Sequence, residues 1–301
     1  MAVARAADRH LGTCPLQALS APAPLPGRAV QHTFARALTG PAGSASVSRY
    51  AGSRTSMCAA AVPLTDLALL RIEIDTLWSN QHTRPIDAPD LVVACSSTGL
   101  LATAGPAVPE AVARALVAEV AGARPPADPS SPPPVLERCR RLLEDALGEV
   151  ELRPGSGPSY LIDDTVAFPP TLPLIRSDAA DLTDVRAANP GTWGADEWQD
   201  LLDGRLGPWA MARSADQVIS ICHTPVQSAR AAEAGVWTHP DFRGQGHAAA
   251  TTAEWASLVR PTGRLLFYST SHTNRSSQRV AARLGLRPIG YLWQLGRAGV
   301  A

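Results

Sequence analysis

Two glycines one residue apart, directly after an arginine, stand in "HPDFRGQGHAAA" at 239–250. The stretch follows the strand-like run "AAEAGVWTHP" and opens the helix-like run "GHAAATTAEWASLVR". Glycine tolerates positive φ and lets backbones approach closely. A strand-to-helix junction of this composition has three readings. It is the turn of a dinucleotide fold, a seat for the diphosphate of an acyl-coenzyme A, or a tight turn that needs only glycine.

Gly244, Gly246 and Ala249 fit the dinucleotide spacing G-x-G-x-x-G/A. That fold also needs an acid about 20 residues on to hold a ribose hydroxyl. Residues 264–269 are "RLLFYS" and contain none. Too little chain follows the motif for the rest of a doubly wound sheet. No Gly-Lys-Ser/Thr follows the glycines, which excludes a triphosphate P-loop. What remains, besides the bare turn, is an anion site. Exposed amides at a helix start, reinforced by the helix dipole, attract phosphate, and Arg243 adds charge-assisted bonds.

Composition narrows the partners. The formal net charge is zero over 301 residues, so nothing favours nucleic acid electrostatically. Every basic residue is arginine, which rules out a catalytic lysine. Five scattered cysteines (Cys14, Cys58, Cys95, Cys139, Cys222) form no CxxC and read as reduced thiols of a cytoplasmic protein. The histidines show no metal-ligand spacing, so no metal is expected. No apolar run reaches the ~18 residues of a membrane span. Residues 1–56 hold six arginines and one acid, Asp8, and read as a disordered extension, a transit-type leader, or sequence upstream of a true start at Met57.

Residues 57–168 read as a small α/β subdomain of unassigned role. "DLVVACSS" (90–97) is a strand that turns through "STG" into "LLATA". "PEAVARALVAEVAG" is a helix with Val112, Leu116 and Val120 on one side, and "VLERCRRLLEDALG" is a second, with the stripe Leu136, Cys139, Leu143, Leu147. Between them lies the proline-rich connector "RPPADPSSPPP" (124–134). "EVELRPGSGPSYLIDD" reads as two short strands around a glycine-rich turn. "PPTL" at 169–172 marks a boundary. From there to the end of the domain at 301 the order reads β-α-α-β-β-β-α-β-α-β, a mixed, mostly antiparallel sheet flanked by helices.

Two motifs at the right separation lie inside that order. Thr238-His239-Pro240 precedes Arg243-Gly244-Gln245-Gly246-His247-Ala248, and "LLFYST" precedes Asn274 and Leu284-Gly285-Leu286. Together they make residues 171–296 resemble the GNAT superfamily of acetyl-CoA-dependent N-acetyltransferases, an α/β (α+β) fold. The resemblance implies acetyl transfer from acetyl-CoA to an amine, a small molecule or a peptide. It implies that the backbone of 243–248 grips the diphosphate. Val236, Trp237 and Thr238 would line the pantetheine arm where their strand splays from the next, and Gly235 would mark the bulge. Glu233, on the same strand face as Gly235 and Trp237, is the candidate base, with His223 and His239 as weaker ones. Asn274 would contact CoA or cap its helix. The tyrosine that many members place four residues before the glycine of Leu-Gly-Phe is Ala281 here. Ser276 is therefore the first candidate acid, with Ser277 and Tyr268 beside it. The missing tyrosine keeps open a non-catalytic CoA-binding or regulatory module. Trp193, Trp198 and Trp209 either shape an acceptor pocket near 190–209 or fill the core.

Overall fold

The computed structural model describes residues 64–78, 88–148 and 150–297. The expectations for residues 1–56, with Cys14 and Cys58, lie outside them. Helix α1 (Asp66–Trp78) comes first, followed by strands β1 (Leu91–Cys95) and β2 (Leu100–Ala104), helices α2 (Glu110–Ala121) and α3 (Val135–Leu147), and strand β3 (Leu152–Ile162). Then come β4 (Leu174–Arg176), α4 (Thr183–Arg186), α5 (Ala195–Leu202), β5 (Trp209–Ser214) and β6 (Gln217–His223). The segment expected as one strand over 231–238 is two, β7 (Ala231–Glu233) and β8 (Gly235–Thr238). Helix α6 (His247–Val259), β9 (Leu265–Ser269), α7 (Arg275–Leu284) and β10 (Arg287–Arg297) complete the chain. Apart from that split, residues 174–297 follow the order read from the sequence.

The described residues form two sheets. Strands β4-β5-β6-β8 form an antiparallel four-stranded one, and β2-β1-β10-β3-β9-β7 a six-stranded one in which only β7 and β9 pair in parallel. The two meet at Ala234, because β7 belongs to one sheet and β8 to the other. The expected boundary at 169–172 therefore does not separate two sheets. β1 pairs with β10, and β3 lies between β10 and β9. Strands on both sides of "PPTL" share one ladder.

β3 also corrects an expectation. It is one continuous strand of 11 residues, not two around a turn. Gly157 is there for close approach. A Cβ on Gly157 would stand 1.7 Å from the Thr270 carbonyl oxygen, because residues 270–272 run over β3 and His272 N–H donates to the Ser156 carbonyl at 2.9 Å. Glycine in a strand often marks such an approach rather than a turn. Gly157→Ala is expected to destabilise the protein by about 3 kcal/mol, at the upper end of the cost of forced overpacking. Urea unfolding measures this, and a loss under ~0.5 kcal/mol contradicts the close approach.

Helix α1 is unanticipated. Leu69, Leu70, Ile72 and Ile74 pack with Val92, Phe267, Ile289 and Leu292. Leu70 and Ile74 are wholly buried, worth about 1.5–3 kcal/mol each. That burial offsets the cost of drawing Glu73, on the same helix, fully out of water. On the other side of the larger sheet, α6 packs Trp255, Ala256 and Val259 against Leu266, Tyr268 and the Ala281 and Leu284 of α7. α2 and α3 pack Leu116, Val120, Val135, Cys139 and Leu143 on β1 and β10. Val135 and not Leu136 completes the buried stripe of α3. No helix among the described residues is long and apolar enough to cross a membrane.

Candidate functional site

The site grows from the split at Ala234. β7 pairs in parallel with β9 through Glu233↔Phe267, and Ala234 N–H donates to the Phe267 carbonyl at 2.9 Å. Beyond that bond the strands part, and β8 pairs only with β6, from Gly235↔His223 to Thr238↔Ser220. His239 N–H donates to the Ile219 carbonyl at 2.8 Å. By the alternation of an antiparallel ladder, residues 235, 237 and 239 spend their backbone groups on β6. The N–H and C=O of Val236 point the other way, into the gap between β8 and β9. Glycine at 235 allows this course. A Cβ there would lie 2.7 Å from His223 Cε1 and 3.0 Å from the Pro225 ring.

The gap leads to the glycine loop. Pro240–Phe242 form one 3-10 turn, capped by the His239 ring, which accepts from Asp241 N–H. Gly244 and Gly246 then adopt φ of +80° and +96°, the left-handed region that glycine enters at little cost. Gly246 is the N-cap of α6 and has no side chain with which to cap it. The first intrahelical bond is from Ala250 N–H to the Gly246 carbonyl at 3.0 Å. The amides of His247, Ala248 and Ala249 are therefore open at the positive end of a 13-residue helix. The surrounding side chains are tied down. Arg243 Nε donates to the Thr238 carbonyl at 3.2 Å, and Gln245 Nε2 to the Asp241 carbonyl at 3.3 Å. The His247 ring is buried between Thr171 and Gln245, and burial pulls its pKa down. His247 thus offers its backbone to the loop while its neutral ring braces it.

On the α1 face of the larger sheet lies a pair of buried acids. Alternation runs unbroken through the split. Ala232, Ala234 and Val236 pack on the α6 side, while Ala231 faces α1. Glu233 therefore faces α1 too. It is 5% exposed, and its Oε1 accepts from both Ser269 N–H and Ser269 Oγ at 2.7 Å. Ser269 itself stays half-exposed at the end of β9. Ser159 Oγ donates to Glu73 Oε2. Burial pushes the Glu233 carboxyl up to about 7 against the pull of the Ser269 bonds. Glu73 is raised well above the carboxylate range, by burial first and by the charge of Glu233 second.

On the opposite face, Tyr268 Oη pairs with Ser277 Oγ at 2.6 Å. Burial raises Tyr268 above the usual phenol range, so it stays protonated. Cys222 behaves likewise as a buried thiol, with Cys95 and Cys139 pushed up to about 11.

The positions expected from sequence thus fall around one gap: Val236, Trp237 and Thr238 on its wall, residues 243–248 at its mouth, Glu233 at its apex. Ser276 is exposed at the start of α7, whereas its neighbour Ser277 is buried and bonded to Tyr268. Asn274 caps α7 by accepting from Ser277 N–H at 3.1 Å. Ala281 is wholly buried in the core. Trp193, Trp198 and Trp209 are core residues rather than pocket walls. The Trp209 and Trp198 indoles donate to the Leu201 and Arg186 carbonyls, and Trp193 packs edge-on to Trp198. His223 binds the Gly235 carbonyl and packs on Trp193. Glu73 carried no signal of its own beyond an acid inside the apolar run "ALLRIEID". Among the described residues no cluster of His, Cys, Asp or Glu is suited to a metal ion.

Residues 163–287 match the family model described as "Acetyltransferase (GNAT) domain". No curated protein matches the chain significantly. Among solved structures the chain is similar to a GNAT-family acetyltransferase from Colwellia psychrerythraea, with 15% identity over 54% of this chain and a TM-score of 0.40. The match spans 62% of that protein's length. It is also similar to a GCN5-related N-acetyltransferase from Kribbella flavida (18% identity, 78% of this chain and 94% of that one, TM-score 0.40). A third is a GCN5-related N-acetyltransferase-like protein from Streptococcus suis (17%, 70% and 85%, TM-score 0.37).

Proposed function

The chain belongs to the GNAT acetyltransferases through residues 163–287, and from that premise we propose that it transfers an acetyl group from acetyl-CoA to an amine. One observation carries this reading. The free backbone edge of Val236 leads toward the open amides of 247–249. An extended thioester arm ending in a diphosphate needs that pairing. The arm adds to β8 as a short strand would, and the diphosphate sits at the start of α6. Arg243 lies exposed beside it.

The chemistry uses both faces of the sheet. The amine nitrogen attacks the thioester carbonyl carbon, and the Val236 N–H steadies the oxygen as it gains charge. The amine gives its proton through the half-exposed Ser269 hydroxyl to Glu233, which burial has brought near neutrality. The C–S bond breaks, and the thiolate takes a proton from the Ser277–Tyr268 pair on the opposite face. Ser277 replaces Ser276 in this role because only Ser277 contacts a protonated partner. Ser277→Ala is expected to lower kcat about 100-fold, the modest end of general acid catalysis, with the affinity for acetyl-CoA unchanged. Ser276→Ala should match wild type. The reverse pattern would return the role to Ser276.

The test of the function is calorimetric titration of the full chain with acetyl-CoA and with NAD. Micromolar binding of acetyl-CoA alone, followed by turnover in an amine screen, supports the reading. A folded protein that binds no acetyl-CoA removes it. Binding without turnover of any amine favours the non-catalytic module, for which Ala281 in place of the family tyrosine is the argument. A cytoplasmic location belongs to the same proposal, and the free thiols of Cys95, Cys139 and Cys222 among the described residues are in keeping with it.

A further inference from the structure

Glu73 and Glu233 come from elements far apart in the chain, α1 and β7, yet cross-strand neighbours hold them. Ser159 on β3 and Ser269 on β9 are directly paired in register. Ser159 bonds one oxygen of Glu73, and Ser269 bonds one oxygen of Glu233. Directly opposed strand residues have Cβ atoms about 5 Å apart on one face, so the two carboxyls are delivered to the same spot. Each is left with one oxygen, Glu73 Oε1 and Glu233 Oε2, that is buried and has no partner among the described residues. Buried acceptor oxygens left without a donor are costly. Among the described residues no side chain donates to either oxygen. The other titratable groups near Glu233 are Cys222 and Tyr268, both kept neutral by burial.

We infer that Glu73 keeps its proton and donates it from Oε1 to Glu233 Oε2, so that the two form an acid–carboxylate pair carrying one proton and one negative charge. That single proton satisfies all four oxygens. Ser159 donates to Glu73 Oε2, Glu73 to Glu233 Oε2, and Ser269 twice to Glu233 Oε1. Glu73 is thereby a positioning residue. It fixes the Glu233 carboxylate toward Ser269 and suppresses the second ionisation of the pair. Helix α1, outside the family match of 163–287, becomes part of the site.

The catalytic consequence rests on the proposed role of Glu233, but the proton does not. It is read by infrared spectroscopy of the full chain without substrate, at pH 8, where exposed carboxyls are ionised. Wild type is expected to show a protonated-carboxyl band that Glu73→Gln removes. The glutamine amide replaces the proton as donor to Glu233, so the variant folds. A wild-type spectrum with no such band overturns the inference, and this arm stands even if the variant does not fold. A folded Glu73→Gln protein with the band intact overturns it equally. A protein that shows the pair but never turns over an amine keeps the inference and loses the enzyme.

Discussion

Gly246→Trp is expected to weaken acetyl-CoA binding at least ~100-fold while the protein still folds. At φ +96° any side chain is strained, at a cost of about 1–2 kcal/mol. A Cβ there stands 3.3 Å from Arg283 Nη1 and 3.4 Å from the Phe168 ring, so an indole has to turn outward across the open amides of α6. Covering two of them forfeits two hydrogen bonds to a charged group, about 1.5–3 kcal/mol each, and 1.4 kcal/mol is tenfold in Kd. Calorimetric titration reads the affinity, and circular dichroism with thermal melting reads the fold. A folded variant that binds as tightly as wild type would sink the diphosphate assignment. The αL strain tempers the expectation for stability, because it lowers Tm even where the fold persists.

Glu233→Gln is expected to lower kcat by about 10²–10⁴, the range of a positioned base, with little change in the KM for acetyl-CoA. The same change raises stability above neutral pH. The sign follows from burial. The folded carboxyl is pushed up to about 7, against about 4.3 in the unfolded chain. The folded state therefore holds the proton more tightly. Its contribution is full below the unfolded value and is lost as pH rises through 7. Wild type should lose roughly 3 kcal/mol over that window from this group. Glu233→Gln removes that slope and retains the Ser269 bonds through its amide oxygen. Thermal melts from pH 5 to 8 decide it. If the variant's melts fall as steeply with pH as those of wild type, Glu233 does not titrate there. If its turnover is unchanged, it is not the base.

Both results would tie activity to groups that cost stability. Glu233 at 5% exposure and Glu73 at 0% are acids placed where apolar side chains would hold the sheet more firmly. Sites that keep such groups usually use them. The core around α1 supplies the burial that makes this tolerable.

What the sequence alone determined is local. The elements from 174 to 297 were legible because helix and strand periods and turn residues act within a few positions, and the glycine loop because Gly244 and Gly246 answer a φ requirement at their own positions. The features that depend on packing are long-range. Gly155 and Gly157 read as a turn because the segment packed against Gly157, at 270–272, is more than a hundred residues away. The strand from 231 to 238 was split by its choice of neighbours, β9 and then β6, which no period in the strand encodes. Ser276 ranked above Ser277 until burial separated them. Glu73 had no visible role, because a buried acid gains meaning only from what it is buried against. Ser159 and Glu233 reach it through a sheet whose strand order departs from chain order.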